Sequence, residues 1–256
     1  MPVMENSRQL WTRKQLLVAF SLYCQIPFGK LHAKNPDIIK CAEQIGRTPS
    51  ALAMKLCNIA SLDQKITATG RRGLSGASKA DRELWNEMHH DWGRFAVELK
   101  NATDTLFQAQ AQESPADADG HTGEEKTVQA LVRIGQAFFR QTLLNAYEGK
   151  CCITGLSEPR LLVASHIIPW RCDKKNRLNP KNGLLLSALH DKAFDLGIIT
   201  ITENMTVCVS EKISSDDSYM KESILSYNGK AIAIPNKFHP DPAFLAYHRS
   251  HIFEKK

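Results

Sequence analysis

Between residues 164 and 195 the chain reads ASHIIPWRCDKKNRLNPKNGLLLSALHDKAFD, with His166, Asn182 and His190 spaced around a run of lysines and arginines. An imidazole can move a proton near neutral pH or give a lone pair to a metal, and guanidinium and ammonium groups hold phosphate. Such a set suits hydrolysis of a phosphodiester, which needs a base to draw a proton from water and a cation to offset charge on the phosphorus-bound oxygens. The base must be neutral and aimed at phosphorus, whereas a metal ligand must be fixed on a rigid support, so the two are expected on different elements that meet.

The elements that would position them can be read from the pattern. RLLVASHII reads as a strand ending at His166, and KNGLLL as a turn through Asn182 and Gly183 into a second strand. SALHDKAFD reads as a helix capped by Ser187 and carrying His190 on its first turns. Strand, turn, strand and helix form one unit in which three polar side chains can converge, and this requires the rings of His166 and His190 to face one cavity. Plainer readings stand beside these: Asn182 before Gly183 as a hairpin turn residue, His190 as a helix-surface histidine. Arg171, Lys174, Lys175, Arg177 and Lys181, opposed by Asp173 alone, read as a solvated loop or as phosphate contacts. Their place between His166 and Asn182 favours phosphate.

The rest of the chain divides by composition. Net charge is +6 over residues 1–100, −5 over 101–126 and +5 over 127–256. Two basic blocks flanking an acidic segment suit a polyanionic partner. The expected organisation is a helical DNA-recognition domain over 1–105, an acidic linker over 106–126 and a small α+β domain over 127–256. In the first block, GRTPSALAMKL places Gly46 at a helix end, Thr48 at a cap and Pro49 in a first turn. A helix-turn-helix or a simple packing unit both fit. In the first case Ser50, Lys55 and Asn58 would face the major groove, with Arg47 near a phosphate. GRRGLSGASK reads as a loop that could close on the DNA backbone. In TVQALVRIGQAFFRQTLLNAY, an amphipathic helix, Arg133, Gln136 and Arg140 share a face that either holds a phosphate or stays solvated.

With 43% hydrophobic and 23% charged residues the chain is of globular type, and no apolar run is long enough to span a bilayer. The opening residues lack the pattern of a secretory signal, so a cytoplasmic location is expected. Seven cysteines without C-x-x-C spacing are expected as reduced thiols, with Cys151 and Cys152 buried.

His166, Asn182 and His190 in this order, together with CCITG, ASHIIPW, NGLLLSALHDKAFDLGIITI and LAYHRSHIF, resemble the HNH endonuclease family in its restriction-type bacterial branch. The resemblance covers about residues 127–256. It implies a ββα-metal fold, a DNA endonuclease acting in restriction or defence, double-stranded DNA as partner, and a divalent metal, Mg²⁺ foremost, with Mn²⁺, Co²⁺ or Ni²⁺ as alternatives. It further implies His166 as the general base, Asn182 as the residue that tethers the loop and orients it, and His190 as a metal ligand. Arg249 in YHRSH would clamp the scissile phosphate, or it packs together with His248. The position before the base, acidic or histidine in many such nucleases, is Ser165, a poor ligand. The metal would then rely on water and phosphate oxygens, or on Asp191 or Asp195, although Asp195 reads better as a cap on the turn at Gly197. A regulator with an inactive finger is the alternative function, and a homodimer is one route to a double-strand break.

Overall fold

The computed structural model describes residues 10–63, 66–67, 76–108, 123–214 and 216–254. Its fold is α+β, a helical layer followed by a hairpin–helix unit. The layer is built from α1 (Arg13–Gln25), α2 (Pro36–Gln44), α3 (Pro49–Ala60), α4 (Lys79–His90) and α5 (Trp92–Gln108). Local chemistry starts these helices where the sequence predicts. Thr12 caps α1 in a capping box with Gln15, and Thr48 Oγ1 accepts from the Ala51 amide at α3. Gly46, at φ +67°, makes the left-handed turn between α2 and α3. Helix α1 buries Leu16, Leu17, Val18, Ala19, Phe20 and Tyr23 and so forms the centre of the layer.

Helix α6 (Gly123–Ala146) packs against α1 and α5 on one side and against a β-hairpin on the other. The hairpin pairs β1 (Leu162–His166) antiparallel with β2 (Gly183–Ser187), His166 lying opposite Gly183. Next come α7 (Ala188–Asp195), a second hairpin of β3 (Ile199–Ile201) and β4 (Val207–Val209), α8 (Ser218–Ser223) and α9 (Pro242–His251). CCITGL is a turn closed on Gly155, where φ is +74°.

Helical structure enters the acidic segment from both ends, since α5 reaches Gln108 and α6 starts at Gly123. Residues 109–122 of that segment and 70–75 of GRRGLSGASK lie outside the described residues. The two halves share one apolar core, which runs from Phe20 and Trp92 through Phe139 and Leu143 to Leu185 and Phe194. They are also joined by Lys237. Fully buried, its ammonium donates to the carbonyls of Tyr23 and Ile26 at the end of α1 and lies 4.3 Å from the Tyr23 ring centre. Burial pulls the proton affinity of this lysine down to about 8.

Candidate active site

Helix α6 is the wall on which the site is built. Arg140 donates to the carbonyls of Leu162 (2.7 Å) and Pro159 (2.8 Å), fastening the start of β1. Both bonds commit its half-buried guanidinium to the backbone of the hairpin unit. Phe139, the residue before Arg140, and Leu143, about one turn on, press on Gly183 so closely that a Cβ there would lie 2.7 Å from Phe139 Cζ and 2.5 Å from Leu143 Cδ1. Gly183 has φ −138°, and Asn182 ends a short 3-10 turn over Pro180–Asn182. The Asn-Gly pair is thus not the expected hairpin turn, and the glycine serves the close approach of α6.

Asn182 is fully buried and its amide is saturated. Oδ1 accepts from the Ile168 amide at 2.8 Å, while Nδ2 donates to the carbonyls of Ile168 (3.3 Å) and Asn176 (3.2 Å). One side chain thereby holds both ends of the loop between the strands. Within the loop Asp173 accepts from the amides of Lys175 and Asn176, and Arg177 Nε donates to the Trp170 carbonyl at 2.6 Å with its guanidinium 4.9 Å from the Trp170 ring centre. This folding leaves the Arg177 carbonyl 2.8 Å from His166 Nε2. A carbonyl only accepts, so Nε2 carries the proton and Nδ1 keeps its lone pair. The ring stacks on Phe139 at 4.3 Å and 6° and meets the edge of Trp170 at 5.5 Å. Burial pushes its pKa below the ordinary histidine value, against the Arg177 carbonyl and the Asp191 charge, which favour the proton. The result is a neutral imidazole near pH 7, suited to accept a proton at Nδ1.

His190 stands on the first turn of α7. Its ring is buried beneath the C-terminal segment, with Nδ1 2.9 Å from Ser187 Oγ and the Tyr227 ring edge-on at 5.1 Å. Nε2 is closed to solvent. Burial lowers the His190 pKa, partly offset by the Ser223 carbonyl. The two imidazoles touch different neighbours, His166 lying against Phe139 and Trp170 and His190 against Tyr227 and Ser187. The next residue takes the place on the His166 side. Asp191 is the α7 acid whose charge reaches His166, and it also raises the Asp195 carboxyl pKa, where burial is the larger cause. Asp195 does not cap the turn at Gly197, whose amide instead bonds to the Phe194 carbonyl. Spacing of four on a helix puts the two carboxylates on one face, a signal legible in HDKAFD.

The donor set fits a hard cation. Among the described residues no three His, Cys, Asp or Glu side chains converge as a cage. Asp191 and Asp195, however, are two carboxylates one turn apart; among the described residues neither forms a salt bridge, and only the Lys192 charge opposes the rise in the Asp195 pKa. Mg²⁺ is commonly held in this way, by one or two carboxylates with water and phosphate oxygens completing the shell. Ser165 is buried with its hydroxyl unpartnered.

The basic residues separate into two groups. Arg171, Lys174 and Lys175 are exposed on the loop, and among the described residues none forms an ion pair. Arg177 is half-buried and turned back on Trp170, and half-buried Lys181 acts electrostatically on His89 of α4. Arg249, expected at the scissile phosphate, donates to the Ile201 carbonyl at 3.1 Å and pairs with Glu203 at 3.2 Å. His248 beside it packs, stacked on Phe194 at 3.6 Å and bonded to Thr200 Oγ1 and the Phe194 carbonyl. In the helical layer Lys55 is buried against Asp81 at 2.9 Å, and Arg47 is spent on the Leu10 carbonyl (2.6 Å) and Gln15 (2.9 Å). Asn58 is buried as well, so of the three residues expected in a major groove only Ser50 is exposed. The cysteines are free thiols, Cys151 and Cys152 buried as expected.

No curated protein matches the chain. Residues 151–202, which span the knuckle at Cys151, the β1–β2 hairpin, α7 and β3, match the family model described as HNH endonuclease.

Proposed function

We propose that the chain is a metal-dependent DNA endonuclease and that His166 is its general base. The observation that carries this reading is the bond from His166 Nε2 to the Arg177 carbonyl, within a loop pinned by Asn182, which leaves Nδ1 as the accepting atom. Neutral His166 takes a proton from the attacking water at Nδ1. Asp191 and Asp195, rather than the enclosed His190, would hold the divalent cation, most simply Mg²⁺. When bound, that cation supplies positive charge to offset the charge growing on the phosphoryl and leaving oxygens. Arg171, Lys174 and Lys175 engage phosphates flanking the scissile bond of double-stranded DNA. The resemblance to restriction nucleases supports a role in defence against foreign DNA, with a double-strand break made by two copies or by successive nicks.

The test is nicking of supercoiled plasmid by the full chain in Mg²⁺, Mn²⁺, Co²⁺ or Ni²⁺, beside His166→Ala. Loss of nicking with retained DNA binding in the variant is the expected result, and unchanged nicking overturns the assignment. A second reading, a DNA-binding regulator with an inactive finger, draws on Ser165, buried and neutral where an acid would bind metal. Binding without nicking in all four metals would establish that reading instead.

A further inference from the structure

The geometry points to Phe139 as a positioning residue for the base: its ring, carried by α6 and seated over Gly183, fixes the plane of the His166 imidazole so that Nδ1 is aimed outward. This rests on His166 being the base. A single hydrogen bond, from Nε2 to the Arg177 carbonyl, fixes one corner of the imidazole and leaves the ring free to swing about it. A flat surface in contact with the whole face removes that freedom. Phe139 supplies it at 4.3 Å and 6° from parallel, and Trp170 closes a second side at 5.5 Å and 80°. The approach depends on the cross-strand partner of His166 having no side chain. That partner is Gly183, where a Cβ would lie 2.7 Å from Phe139 Cζ. Arg140, adjacent on the same helix, anchors the start of β1, so helix and strand cannot slide apart. Phe139, Arg140, Gly183 and His166 thus form one alignment device, and Phe139 does its part without touching substrate.

Small errors of aim at a reacting atom lower turnover steeply and leave substrate affinity alone. The test compares Phe139→Leu, which keeps apolar bulk without a flat face, with Gly183→Ala, which keeps the phenylalanine but crowds its ring off its seat. Nicking of a duplex oligonucleotide by the full chain is measured, with kcat expressed per folded molecule from circular dichroism. The expected result for both is a kcat at least about tenfold lower, with KM within about twofold of wild type. In Phe139→Leu the His166 ring protons should also lose the upfield NMR shift produced by the stacked ring. Phe139→Met, milder in volume, serves if either variant folds poorly, and the same split is expected. Wild-type kcat per folded molecule in these variants overturns the inference. His166→Ala separates the two levels: if it still cleaves, the proposed base is wrong, whereas if it is dead while Phe139→Leu is fully active, only the alignment role falls.

Discussion

The helical layer and the hairpin–helix unit are similarly basic, yet they use their charges in opposite ways. In the layer, Lys55 sits inside a pair with Asp81, which also closes the capping box of α4, and Arg47 is consumed by a carbonyl and an amide beside Trp11. In the unit, the β1–β2 loop satisfies its own backbone through Asp173, Asn182 and Arg177, and Arg171, Lys174 and Lys175 are left facing water. The same division runs through the histidines and acids. His190 and His248 are enclosed by packing, whereas His166 keeps one nitrogen uncommitted and Asp191 and Asp195 form no salt bridge among the described residues. Net charge therefore says little about where a polyanion docks. What matters is which cations already have a partner.

This contrast can be broken most sharply at the start of α7. Asp191→Asn should reduce nicking at least about 100-fold, while His190→Gln should keep nicking per folded molecule and lose stability instead. The reverse pattern in plasmid assays with matched urea melts would return the ligand role to His190. In the layer, Lys55→Ala leaves a buried carboxylate without its partner and should cost about 3–5 kcal/mol in urea unfolding. The DNA affinity of the molecules that remain folded should not change, and a weakened affinity would mean that the layer binds through this lysine. On the loop, replacing Arg171, Lys174 and Lys175 together by Gln should move unfolding by no more than about 0.5 kcal/mol. It should weaken DNA binding about 10–100-fold and flatten the slope of log affinity against log salt by about 3, as read by fluorescence anisotropy.

The smallest effect concerns His248, whose pKa burial lowers to about 4. Its folded value lies below the unfolded one, so as pH falls the unfolded chain takes the proton first and stability declines from about pH 6.5 down to about pH 4. Between pH 7 and pH 5 the loss from this group should be about 2 kcal/mol, by the linkage of proton uptake to folding. His248→Gln should remove that part of the pH dependence, and an unchanged pH profile of melting would place a different group behind the acid limb.

Much of this was legible in the chain. Thr48 and Ser187 cap helices as their positions predict, because capping depends on a few adjacent residues. The strand ending at His166 could be read from the apolar run before it, whereas the tethering role of Asn182 comes from the resemblance alone. What escaped depends on contacts distant in sequence. Lys55 looks free until Asp81 is brought to it, and Arg249 looks like a clamp until the end of β3 arrives beneath it. Choosing between His190 and Asp191 is a matter of one residue, about 100° around a helix, and only the packing of Tyr227 and Ser223 decides which of them turns inward. The Arg177 carbonyl left no trace in the pattern, since every residue has a carbonyl and only the folded loop selects one.

Lys237 bears on how the halves can be studied. Its ammonium closes the end of α1, and the adjoining Phe238 packs edge-on against Tyr23 and Trp92, all from the other half of the chain. A fragment trimmed to residues 127–256 would carry this lysine and this aromatic with nothing to receive them. Its inactivity would then reflect a missing cradle and not a missing catalyst, and adding the helical layer back in trans is the proper control.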